Sequence, residues 1–426
     1  MFPSIIMMIF TSIYSVVDGL FVSNFVGKSA FAAVNLIMPF LMGISALGFM
    51  IGTGGSAIVA KTLGEGKIEN ANEYFSMLVY ITAIGGIIIA ILSMFLVKPV
   101  AILFGASGTL LDNCILYGRI LCISLPAFML QNVFQSFFVT AEKPHLGLRV
   151  IVIAGVTNMV LDFLFVAVLH FGLPGAGFAT VCGEFIGGLF PLFYFGRKNS
   201  SLLKLGKTHF HGRILLKTCT NGSSELMTNL SSSVVNALYN MQLMKFAGED
   251  GVAAYGTIMY VNFIFVSIFF GYAIGSAPIV SYHYGAGNQD ELKNLFHKSI
   301  RLIGTWAVSL FIIAQLIATP LATLFVGYDQ GLFELTRSGF RLYSFAFLIN
   351  GFNIYGSAFF TALNNGLLSA LISFLRTLVF QMAVVLLLPL LLGINGVWCS
   401  VAIAELLTLC VTGTFIVLKR NTYHYL

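Results

Sequence analysis

Ile151-Val-Ile-Ala-Gly-Val-Thr-Asn158-Met-Val-Leu-Asp162-Phe-Leu-Phe-Val-Ala-Val-Leu169 is an apolar run broken by a single charge. At ~1.5 Å rise per residue, ~20 such residues cross the ~30 Å hydrocarbon core of a bilayer as a helix. An aspartate inside that helix costs about 2.5–3.5 kcal/mol on insertion scales, so Asp162 calls for an explanation. Asn158 lies four residues earlier and shares its helical face. A carboxylate and an amide on one face make an oxygen-rich half-site for Na⁺ or H⁺. The plainer alternative is a polar pair that joins this helix to a neighbour.

Similar runs recur along the whole chain. Of 426 residues, 58% are hydrophobic and only 9% charged, against roughly 25% charged in a soluble domain. This is the composition of an all-α polytopic membrane protein. Twelve transmembrane helices are predicted, near 2–25, 30–60, 74–97, 115–141, 147–170, 175–196, 215–246, 251–283, 293–326, 332–362, 367–392 and 395–418. No basic n-region or small-residue cleavage site precedes the first, so no cleavable signal is expected. The six cysteines form no CxxC or Cys/His cluster and read as small packing residues.

Charge sets the expected orientation. Sixteen of the 22 Lys and Arg fall after even-numbered helices, in the 197–217 stretch or in the tail; Arg376 is counted among them. The other side keeps Lys28, Lys98, Arg119, Lys245, Arg337 and Arg341. The positive-inside rule then places both termini in the cytoplasm, in a cytoplasmic (inner) membrane. Arg119 and Arg341, early in their helices, can snorkel to the outer interface.

The polar stretch also divides the chain into an N-lobe (1–196), a linker (197–214) and a C-lobe (215–426). Offset by 221 residues, the halves match repeatedly. Gly27 and Ala32-Ala33 meet Gly248 and Ala253-Ala254; Gly64-x-Gly66 meets Gly285-x-Gly287. Pro99 meets Pro320, and Asn132-x-x-x-Ser136-x-Phe138-x-Thr140-Ala141 meets Asn353-x-x-x-Ser357-x-Phe359-x-Thr361-Ala362. Glu184 meets Glu405. An even number of helices per unit keeps both halves in one orientation, so the pseudo-two-fold axis runs along the membrane normal. Two six-helix lobes around a central cleft are the expected architecture.

These features, with Pro3 and Asp18 in the first helix and Asn158-x-x-x-Asp162 in the fifth, resemble the multidrug and toxic compound extrusion (MATE) transporters, bacterial and archaeal members especially. That family belongs to a superfamily that includes lipid-linked oligosaccharide flippases. The resemblance covers nearly the whole chain and implies export of organic, often cationic, compounds in exchange for H⁺ or Na⁺. It also implies site residues. Tyr14, Asp18, Asn132, Gln135, Asn158, Asp162 and Thr180 map onto the family's N-lobe polar network, with Asp18, Asn158, Asp162 and Thr180 at its cation positions.

Chemistry supports such a site. Two facing carboxylates favour retention of one proton, and the same oxygens with amide and hydroxyl groups could ligate Na⁺. At offset 221, Asp18, Asn158 and Asp162 become Tyr239, Val379 and Ala383, so the coupling site is expected in the N-lobe alone. Glu225 shares a stripe with Asn221 and Asn229 and resembles a C-lobe family acid; here it is a candidate cavity acid attracting cations, with Asn350 and Asn353 as candidate lining. Glu184 and Glu405, being repeat mates, are expected to share a packing task.

Several functions are excluded. No phosphate loop or nucleotide-binding domain is present, so ATP is not the expected driver. No HExxH and no nucleophile–base pair supports an enzyme. The expected protein is a secondary multidrug efflux transporter working by alternating access, without cofactor, nucleic acid or obligate protein partner, as a monomer. A flippase for a lipid-linked sugar is the alternative; its phosphates call for several Lys or Arg in the cavity, and mid-helix basic residues are almost lacking. A non-transporting sensor that kept the fold is the third reading.

Overall fold

The structure, a computed structural model, describes residues 1–327 and 329–426; the Lys28 side chain lies outside the described residues. Among the described residues it is helical with no strand. The N-terminal half holds α1 (Phe2–Val26), α2 (Lys28–Gly64), α3 (Ile68–Leu103), α4 (Gly108–Thr140), α5 (Pro144–Val168) and α6 (Gly172–Gly196). The C-terminal half holds α7 (212–247), α8 (249–285), α9 (Gln289–Val326), α10 (Gln330–Ala362), α11 (Gly366–Leu392) and α12 (Ile394–Tyr423). Helices α7 and α8 abut directly, separated only by Gly248, whose φ of 63° breaks the helical path. A left-handed φ of this kind favours glycine.

Local chemistry explains the helix starts. Pro3 and Pro144 sit in the first turns of α1 and α5, where a missing N–H costs nothing. The side chains of Asn288, Asp329 and Asn365 accept hydrogen bonds from Glu291, Leu332 and Leu368 N–H and so cap α9, α10 and α11. The outward face of α3 carries exposed Ile84, Ile87, Ile88, Ile91, Leu92 and Phe95. Such a patch would be untenable in water and is ordinary against lipid.

Each half builds its own core. Phe75, Phe134, Phe137, Phe138 and Phe195 cluster in one; Tyr272, Phe296, Tyr355, Phe359 and Tyr425 cluster in the other. Ile5 of α1 joins the C-terminal core. The halves meet through glycines. A Cβ at Gly222 in α7 would collide with the Met50 carbonyl of α2, one at Gly64 with the Tyr282 carbonyl of α8, and one at Gly285 with Lys61. The lobes are therefore in backbone contact at the end where α2 and α8 finish, the end with the basic loops. The linker follows the same end: Tyr80 donates to the Gly206 carbonyl, and Glu73 meets both His209 and His211 at 3.0 Å.

Two expectations need correction. Arg376 is no loop residue; it lies within α11, in a π-helical turn spanning Leu375–Phe380. The repeat register also slips: α5 begins at Pro144 and α11 at Gly366, a separation of 222 rather than 221. In that register Asn158 and Asp162 face Phe380 and Val384, so the C-terminal half lacks the acid at either count.

Candidate functional site

The N-terminal half encloses a cavity of about 90 Å³ lined by Tyr14, Asp18, Gln131, Asn158, Thr180 and Glu184, with Met and Phe neighbours. Close packing assembles it. A Cβ at Gly155 would lie 2.6 Å from the Phe10 ring and 2.9 Å from Tyr14, which draws α1 onto α5. One at Gly183 would lie 3.0 Å from the Ala154 carbonyl and 3.2 Å from Asn158 Cβ, which draws α6 onto α5. Asn158 Nδ2 thereby donates to Thr180 Oγ1 at 3.4 Å.

Asp162 is wholly buried at the end of the regular part of α5, immediately before a π-helical turn over Phe163–Val168. Such turns widen the backbone and often mark functional sites. Asp162 does not itself line the cavity; it lies behind the lining as a neighbour of Asp18, where α1 packs on α5. Both Asp162 oxygens, Asp18 Oδ1 and Asn158 Oδ1 are buried with no hydrogen-bond donor from the protein. Buried oxygens without partners are costly. Protonation of a carboxyl, or a cation bound among these oxygens, would lower that cost.

The other expected members are placed differently. Asn132 and Gln135 are buried in α4 without lining this cavity; Gln135 reaches Met8 of α1 instead, at 3.5 Å. Two residues not assigned to the site line it, Gln131 and Glu184. Tyr117 of α4 is buried outside that lining. Glu184 faces the same space and accepts from Ser124 Oγ at 2.5 Å, so its role differs from that of its repeat mate. Gln131 was signalled by its place in a polar helix stretch.

The C-terminal half has a larger cavity, about 330 Å³, reached by Met8 and Ser12 of α1. Asn350, Asn236, Tyr239, Gln381, Arg376 and Glu405 are among its polar lining residues. Glu225 lines an adjoining chamber of about 30 Å³, again with Arg376. Asn353 does not line either cavity. It is buried between α10 and α12, donates to the Glu405 carboxylate at 2.8 Å and accepts from Thr412 at 3.0 Å. Its helical face points into the lobe, away from the cavity. Glu405 is an ion-pair partner: Arg376 Nε lies 2.9 and 3.1 Å from its two oxygens.

The chain is similar to known proteins along most of its length. The MatE family model matches residues 3–164 and 226–387, one stretch in each half. Multidrug export protein MepA of Staphylococcus saprophyticus is 21% identical over 420 residues, covering 97% of this chain and 91% of that protein. An FAD transporter of Shewanella oneidensis is 22% identical over 322 residues, covering 73% of this chain and 70% of that one. A multidrug-resistance MATE transporter in an outward-facing conformation superimposes with a TM-score of 0.94 at 23% identity, covering all of this chain and 95% of that chain. At that identity, the structural likeness shows the shared twelve-helix fold.

Proposed function

The chain belongs to the MatE family of membrane transporters, and from that premise we propose that it exports small organic compounds, driven by H⁺ or Na⁺ taken up at Asp18 and Asp162. One observation carries this reading: four buried oxygens, on three neighbouring polar residues of α1 and α5, have no donor from the protein. A polar pair serving only to join two helices would satisfy its own atoms. The export function of the MepA relative supports the same substrate class.

The helices suggest how cation and substrate are coupled. Helix α1 contributes Tyr14 and Asp18 to the N-terminal cavity and Met8 and Ser12 to the C-terminal one. Its first turn packs on α8, where a Cβ at Gly271 would lie 2.5 Å from Ile5 Cα. A cation arriving from outside neutralises Asp18 and Asp162 and changes the balance of forces between α1 and α5. The same helix then shifts against the substrate cavity. A ligand moves such an equilibrium by its difference in affinity for the two states, and here that difference lies in the carboxylate pair. The membrane is the cytoplasmic one, with both termini inside, as the basic loops indicate. Both lobes lie in one chain, which supports a monomer.

Efflux of ethidium from proteoliposomes under imposed H⁺ or Na⁺ gradients tests the proposal. Wild type should export under one gradient, and Asp162→Asn should lose driven export while inserting normally. Undiminished driven export by the variant would refute the site.

A further inference from the structure

The C-terminal cavity is the repeat counterpart of the cation pocket. At offset 221, Ser15, Met38 and Glu184 of the first meet Asn236, Met259 and Glu405 of the second. Asp18 meets Tyr239, and in the shifted register of α11 the Ala154 wall meets Arg376. One lining carboxylate has gone, Glu184 is kept as Glu405, and a guanidinium has arrived, so two acids give way to an acid–base pair.

The placement of Arg376 makes this consequential. From Gly366 it lies ten residues into α11, about 15 Å along the axis, and the side chain is only 11% exposed. Glu405 holds it through Nε alone. The two terminal NH₂ groups donate no hydrogen bond within the protein, yet they are not buried among the atoms that lack a partner, so they face cavity space. It is the only basic side chain lining the two C-terminal chambers among the described residues. A guanidinium held by one edge offers the other as a fork for an oxyanion. Tyr239 and Tyr255, stacked at 5.5 Å and 10°, form a flat wall nearby. The cavity volume of about 330 Å³ matches a small aromatic molecule.

We infer that this cavity is an oxyanion subsite: Arg376, oriented by Glu405, receives the carboxylate or phosphate of a planar organic substrate. Glu225 lines the adjoining chamber of about 30 Å³ together with Arg376 and offers an acid to an amine on the same molecule. Zwitterionic compounds are thus accepted alongside cations. The inference deepens the exporter reading by naming a substrate class, but it is tested by binding without any gradient, so failure of coupled export leaves its outcome readable.

Equilibrium binding to the purified full-length protein is compared for two fluorescent pairs: a fluoroquinolone and its methyl ester, and riboflavin and its 5′-phosphate. Wild type should prefer the anionic member of at least one pair by about tenfold, the scale of a charge-assisted hydrogen bond. The pair that shows the preference identifies carboxylate or phosphate as the partner. Arg376→Gln combined with Glu405→Gln removes both charges together and should bring the ratio close to one. If that protein does not fold, Arg376→Lys keeps the charge, loses the fork and should cut the ratio severalfold. Equal affinity of wild type for both members of both pairs, no binding of any of the four, or a variant that keeps the full preference overturns the inference.

Discussion

Asp162 and Arg376 are both buried charges within helices, and their surroundings dictate opposite responses to removal. Asp162 has no donor on either oxygen. Replacing it with asparagine removes a potential like-charge contact and should leave stability unchanged or raised, while driven export disappears. Arg376 is paired through Nε with Glu405, which also accepts from Asn353. Truncating Glu405 to alanine leaves the guanidinium without its counter-ion, a loss of about 3–5 kcal/mol when one member of a buried pair is removed. Thermal unfolding in detergent should therefore place Glu405→Ala well below wild type and Asp162→Asn level with it or above. Removing both charges in the Arg376→Gln/Glu405→Gln protein should restore most of the loss. A double variant as unstable as Glu405→Ala would mean that packing, not charge pairing, sets the cost.

At the scale of helices, α1 bears on both cavities, and its seat on α8 is made by small residues. A Cβ at Gly275 would lie 3.1 Å from Ser4 Oγ and 3.2 Å from Met1 Cα. Gly271→Leu should push the first turn of α1 off α8 and cut driven export at least tenfold. Faster thiol labelling of Ser4→Cys, a buried position in the parent, reports the displacement. Unchanged labelling together with lost export would point away from this seat. The same scale shows what the residues disclose. Asp18, Asn158 and Asp162 were legible because an acid inside an apolar helix is conspicuous and a four-residue spacing fixes one face. The break between α7 and α8 was legible in Gly248-Glu249-Asp250-Gly251. Arg376 was misfiled: counting charges by loops put it at the surface, although the predicted span 367–392 already contained it and α11 begins at Gly366. Asn353 was misplaced because its sequence spacing fits a cavity face as well as the interior. The one-residue slip between α5 and α11 lies hidden in a turn, where Glu142 and Asn364 both adopt positive φ, 58° and 59°.

For the whole molecule, the lobes meet at the basic-loop end. Gly54 abuts Thr218 and Gly222, Gly64 abuts Tyr282 and Ala286, and Gly285 abuts Lys61. Asn221 Nδ2 adds a hydrogen bond to the Thr361 carbonyl at 2.9 Å within the C-terminal half. Thr218 is fully buried behind this seal. An exporter that alternates between two arrangements must break these contacts on each cycle, and glycine allows that because backbone surfaces part without disentangling side chains. A wedge should shift the balance. Gly64→Val puts two methyl groups where even a Cβ collides with α8 backbone, which no side-chain rotation relieves. In a background free of the six native cysteines, a maleimide applied from the basic-loop side should label Thr218→Cys slowly. With Gly64→Val added, labelling should accelerate at least tenfold and driven export should fall in parallel. Acceleration without loss of export would show that closure at this end is not required for transport. No acceleration would show that the lobes tolerate the added bulk by local bending of α2, and the seal would then have to lie deeper, at Gly222 against Met50.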